Sequence, residues 1–69
     1  MSEVKISLAA ARVNARKTQE DVAKHLHVTK QTIVNWENGK ITPKPAYLNM
    51  MCEFYNFPVD NIFLPKELT

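Results

Sequence analysis

Five side chains between positions 30 and 38 of this 69-residue sequence carry its most distinctive chemistry. On a helix that turns about 100° per residue, Lys30, Gln31, Val34, Asn35 and Asn38 share one arc of about 140°. Thr29, Thr32, Ile33 and Trp36 fall on the other side, and Glu37 lies at the border. Glutamine and asparagine present a donor beside an acceptor and so match adenine. Lysine donates to guanine, and a valine can touch the thymine methyl. The polar arc therefore fits the edges of base pairs in a DNA major groove. The first residues of such a helix enter the groove, which makes Lys30, Gln31, Val34 and Asn35 the candidate base contacts.

Phosphates take half or more of the bonds that proteins make to DNA. Gln19 stands in the first turn of the preceding helix, where unpaired backbone amides point outward. Thr29, Asn38 and Lys40 frame the two ends of the candidate reading helix. These four are the candidate backbone contacts. Arg16, Lys17 and Lys44 are weaker candidates of the same kind.

Local signals predict the elements that must hold these groups. Val4, Leu8, Ala11 and Ala15 recur at helical spacing and predict a first helix over 4–15, with Arg16 and Lys17 placing positive charge at its negative end. Thr18 is a good N-cap, and Asp21 three residues on resembles a capping box. That helix buries Val22, Ala23 and Leu26 and stops near His27. Thr29 caps the next helix, which ends at Gly39, a residue suited to the left-handed position after a helix. Two prolines in 40–45 forbid a continuous helix, and Pro45 suits the first turn of a fourth helix over 45–55. Leu48, Met51, Cys52 and Tyr55 form its apolar stripe, and Asn56 follows as a residue that tolerates positive φ. A short fifth helix is expected over 58–63.

Size and composition exclude several functions. Sixty-nine residues make a single domain, too small for a separate catalytic or sensing unit. The net charge is +2, but Arg12, Arg16, Lys17, Lys24, Lys30, Lys40 and Lys44 face only Glu20, Asp21 and Glu37 in the half that carries the polar arc. Cys52 is the only cysteine, which rules out an internal disulfide and favours a buried apolar role. His25 and His27 lie on different helix faces with no cysteine or histidine to complete a metal site. Ser2 and Ser7 lack a histidine–aspartate arrangement, and no glycine-rich phosphate loop exists. No enzyme activity, metal or cofactor is expected. No run approaches the roughly 18 apolar residues of a membrane span, so a cytoplasmic location is expected.

Three stretches carry a family resemblance: Thr18-Gln19-Glu20-Asp21-Val22-Ala23, Val28-Thr29-Lys30-Gln31-Thr32-Ile33 and Trp36-Glu37-Asn38-Gly39-Lys40. They closely resemble the phage repressor and Cro-like helix-turn-helix proteins, and the likeness covers about residues 6–63. It implies an all-α, compact five-helix bundle of the lambda-repressor type. It also implies base contacts at Lys30, Gln31 and Asn35, backbone contacts at Gln19, Thr29, Asn38 and Lys40, and a partly buried ion pair between Arg12 and Glu37. His27 stands where the family commonly has glycine, as does Asn56, and Pro58 replaces a usual polar N-cap. The expected function is sequence-specific transcriptional regulation, of a phage or prophage repressor or Cro-like kind, through double-stranded DNA. A homodimer on a near-palindromic operator is expected, with half-sites about 34 Å apart. Phe57, Val59, Phe63, Leu64 and Leu68 are its candidate contacts. The rival is a small modulator of the same fold, antirepressor-like or antitoxin-like, that binds another repressor or a different protein.

Overall fold

The first helix begins four residues later than the apolar spacing predicts, behind its N-cap Ser7. The Ser7 hydroxyl accepts the Ala10 N–H at 3.0 Å, which caps α1 (Leu8–Asn14). A computed structural model describes residues 4–64. The elements after α1 are α2 (Gln19–Leu26), α3 (Lys30–Glu37), α4 (Pro45–Tyr55) and a 3₁₀ turn, Val59–Asn61. The architecture is all-α, and among the described residues the expected fifth helix is this 3₁₀ turn, after four α-helices. Pro58 supplies no side-chain cap there, and the Asn61 carbonyl and Phe63 N–H are spent on Ile6 rather than on a continuing helix.

Val4 is also a correction. The apolar spacing predicts it inward on the first helix, yet it is 73% exposed and lies outside any helix. Residues 4–6 instead run extended beside the last part of the described chain. Ile6 and Ile62 form a parallel bridge. Ile6 N–H donates to the Asn61 carbonyl at 2.9 Å, and Phe63 N–H donates to the Ile6 carbonyl at 3.0 Å. Asn61 Nδ2 adds a bond to the Val4 carbonyl at 2.8 Å. This pairing satisfies backbone groups that neither segment could satisfy alone.

Every α-helix supplies buried residues to one core. Leu8 and Ala11 come from α1, Val22, Ala23 and Leu26 from α2, Ile33 and Trp36 from α3, and Met51, Cys52 and Tyr55 from α4. Ile62 closes it from the C-terminal side. Trp36 meets the Tyr47 ring at 5.3 Å between centroids, joining α3 to the start of α4. Burial pushes the Cys52 thiol up from its ordinary pKa, as fits a packing residue rather than a reactive one.

Three helices end on a left-handed residue that is not glycine. Arg16, His27 and Asn56 have φ of 61°, 60° and 55°. The same paired bonds recur at each: Arg16 N–H to Val13 O and Lys17 N–H to Arg12 O, then His27 to Lys24 with Val28 to Ala23, then Asn56 to Glu53 with Phe57 to Cys52. Each pair satisfies carbonyls that the helix end would leave open. The positive φ at Arg16 was not expected from the sequence.

Candidate nucleic-acid interface

α2 and α3 are separated by only His27, Val28 and Thr29. Both helices are fastened at their starts. Thr18 Oγ1 accepts the Asp21 N–H and Asp21 Oδ2 accepts the Thr18 N–H, each at 2.9 Å, which completes a capping box. The hydrogen bond from the Thr18 backbone, with the Thr18 side chain second, holds the Asp21 carboxyl below the usual aspartate pKa. Thr29 Oγ1 accepts the Thr32 N–H at 3.1 Å and lies 2.9 Å from Thr32 Oγ1. Ala23 and Ile33 are buried on α2 and α3, the two helices that cross here. A small residue and a β-branched one allow that close approach.

Burial divides α3 as the helical wheel predicts. Ile33 and Trp36 are buried, while Lys30 and Gln31 are exposed and Val34 and Asn35 are half-buried. Gln31 Nε2 donates to Asn35 Oδ1 at 3.1 Å along this outer face. Thr29, Asn38 and Lys40 are exposed at the helix ends. Asn38 Oδ1 accepts the Lys40 N–H at 2.9 Å and shapes the turn at Gly39, whose φ is 82°.

Arg12 and Glu37 meet as the resemblance implies. Arg12 Nε donates to Glu37 Oε2 at 2.6 Å and Nη2 to Oε1 at 3.3 Å. The two side chains are 14% and 8% exposed. The structure adds two members that sequence reasoning missed. Arg12 Nη1 donates to the Lys17 carbonyl at 2.9 Å, and Gln19 Nε2 donates to Glu37 Oε1 at 3.0 Å. The left-handed turn at Arg16 brings Lys17 back over α1, next to Arg12. The network thus ties the end of α1, the start of α2 and the end of α3 to one carboxylate. Gln19, placed in the sequence among the phosphate contacts, has one amide hydrogen committed inward and the other available.

Beside this network lies the Tyr55 ring. Its hydroxyl is buried without a hydrogen-bond partner. Burial raises the Tyr55 pKa well above the ordinary phenol value, the Glu37 carboxylate adds to the rise, and Arg12 opposes it. On the α2–α4 side, the His25 and Phe54 rings stack at 4.0 Å and 7°. Lys17 Nζ stands 4.7 Å from the centroid of the same Phe54 ring. No signal of spacing within either helix predicts these contacts. Among the described residues no cluster of histidine, cysteine and carboxylate groups could hold a metal ion, and no helix is long and apolar enough to cross a membrane.

Two capped helices, a three-residue turn and a tethered second helix with an outward polar face define a helix-turn-helix DNA-binding domain. The sequence matches the helix-turn-helix family profile over residues 8–62, and the chain belongs to this Cro/C1-type family of transcriptional regulators, which is not a family of enzymes. It is similar to the HTH-type transcriptional activator BcrR of Enterococcus faecalis, with 31% identity over 61 residues, 88% of this chain and 30% of that protein. It is also similar to an uncharacterized HTH-type transcriptional regulator, MJ0272, of Methanocaldococcus jannaschii. There the identity is 38% over 50 residues, covering 72% of this chain and 76% of the relative. No solved structure gives a significant match.

Proposed function

We propose that the 69-residue chain is a single DNA-binding domain that inserts α3 into the major groove of a specific operator and regulates transcription there, as a phage-type repressor or Cro-like protein does. Lys30, Gln31, Val34 and Asn35 contact bases. Gln19, Thr29, Asn38 and Lys40 contact the sugar-phosphate backbone. The carrying observation is the outward polar face of α3 together with its anchorage by Glu37 to α1 and α2. A reading helix needs its side chains held in register against a rigid support, and that network supplies it.

A single α3 reads few bases, so a two-fold dimer on a near-palindromic site accompanies this reading. Val59 is exposed at the C-terminal side and Phe63 is half-buried, while Phe57 and Leu64 are half-buried against the core; Val59 and Phe63 present the side offered to a second copy. Leu68, the fifth candidate, lies outside the described residues. Selection of bound duplexes from a random DNA pool tests the function. Enrichment of one motif, arranged as two inverted half-sites, is the expected result. A pool that stays random would overturn the proposal and favour a protein partner, such as another repressor, tested by direct titration without DNA.

A further inference from the structure

One bond on the outer face of α3 contributes little to the fold and much to the chemistry of that face. Gln31 and Asn35 are one helical turn apart, so their side chains are neighbours. Gln31 Nε2 donates to Asn35 Oδ1 at 3.1 Å. Asn35 is the more fixed member: it is half-buried, and its backbone carbonyl accepts the Ile41 N–H at 3.2 Å. The longer, exposed Gln31 is therefore oriented by Asn35.

Each side-chain amide has two donor hydrogens and one acceptor oxygen. An unrestrained glutamine can meet adenine with its oxygen toward N6–H and one hydrogen toward N7. It can equally meet guanine with both hydrogens, one toward N7 and one toward O6. Gln31 has one hydrogen committed to Asn35, which leaves one hydrogen and the oxygen. That set complements adenine and cannot span both guanine acceptors. Asn35 turns its oxygen toward Gln31 and keeps both Nδ2 hydrogens for the groove. Two donors suit guanine N7 and O6 or thymine O4, and they oppose the amino groups of adenine and cytosine.

We propose that Gln31 and Asn35 read DNA as one hydrogen-bonded unit, Gln31 selecting adenine and Asn35 selecting a neighbouring guanine or thymine. The inference rests on the major-groove reading above and assigns a base to each amide within it. Asn35 is thereby a positioning residue for Gln31 as well as a base contact.

The test is selection from a random duplex pool with the full chain and three variants, each checked for helical content by circular dichroism. Gln31→Ala identifies the base position that Gln31 reads, because preference there is lost. The wild type should hold adenine over guanine at that position by about 5- to 150-fold, the discrimination expected of a bidentate pair. Asn35→Leu has similar bulk and no acceptor, so it frees the second Gln31 hydrogen and should let guanine in. Asn35→Asp keeps the acceptor and loses both donors. It should retain adenine at the Gln31 position and move the neighbouring preference toward cytosine. Replacing the selected adenine by 7-deaza-adenine should weaken the wild type and leave Gln31→Ala unaffected. Guanine at the Gln31 position of the wild type, or an unchanged adenine preference in Asn35→Leu, overturns the coupled unit while the major-groove reading stands. A wild type that enriches no motif overturns both.

Discussion

Glu37→Ala should cost this domain a large part of its stability. The carboxylate accepts three hydrogen bonds, two from Arg12 and one from Gln19. Without it Arg12 keeps only the Lys17 carbonyl, in a place where its side chain is 14% exposed. Removing one partner of a buried pair typically costs about 3–5 kcal/mol. The remaining access of Arg12 to solvent points to the lower end, about 3 kcal/mol. A chain of this length has a total stability of roughly 3.5–10 kcal/mol, so the loss removes a third or more of it. At about 4–8 °C per kcal/mol the melting temperature should fall by about 12–24 °C, read by circular dichroism at 222 nm on the order of 10 µM protein. Arg12→Ala should fall similarly, and the double variant should cost far less than the two singles together. Arg12→Met with Glu37→Leu should recover much of the loss, because apolar groups of like volume need no partner. A fall of less than about 4 °C in Glu37→Ala, or additive losses in the cycle, would refute the argument that this carboxylate organises the three helices.

Other outcomes follow from single residues. Lys40→Ala should weaken binding to specific and random DNA alike and lower the salt slope by about one, whereas an unchanged slope in a salt titration removes Lys40 from the phosphate contacts. His27→Gly and Arg16→Gly should each raise stability by about 0.5–1 kcal/mol in denaturant melts, because a left-handed backbone strains residues with a Cβ more than it costs glycine in entropy. A loss in either variant would show that the side chain contributes more than the strain. Tyr55→Phe deletes a buried hydroxyl that has no partner and should raise the unfolding free energy from denaturant melts by about 1 kcal/mol. The Tyr55 pKa is raised in the folded state, so its contribution is complete below the unfolded phenol pKa of about 10 and is lost as pH rises through the folded value. Tyr55→Phe should therefore soften the alkaline loss of stability above about pH 10, and identical alkaline melts in both proteins would contradict this.

Signals confined to one or two turns were legible without coordinates. Thr18 with Asp21, Thr29, Gly39, Pro45 and Asn56 mark helix ends where α2, α3 and α4 begin or stop. The burial of Ile33 and Trp36 and the exposure of Lys30 and Gln31 follow from the helical period. These features depend on neighbours within a few residues, so the order of residues suffices to determine them. The periodic reading failed at Val4 because a matching apolar spacing says nothing of a distant backbone partner. Ile6 and Ile62 are far apart in the chain, and their pairing decides where α1 starts. The 3₁₀ turn replaced a fifth helix for the same reason, since residues 61–63 spend their backbone groups on the N-terminal segment.

Tertiary structure alone decided how the reading helix is held. Only the family resemblance, and no local signal, implies the pairing of Arg12 with Glu37. That Arg16 turns left-handed, that the Lys17 carbonyl completes the arginine's bonds, and that Gln19 turns one hydrogen inward depend on how α1, α2 and α3 cross. The unpartnered Tyr55 hydroxyl and the Lys17–Phe54–His25 cluster arise the same way. A helical period specifies which face of each helix is buried, but the angle and offset at which two faces meet come from the packing of all their side chains at once. The polar face of α3 was therefore written in the order of residues, and its anchorage in the crossing of the helices.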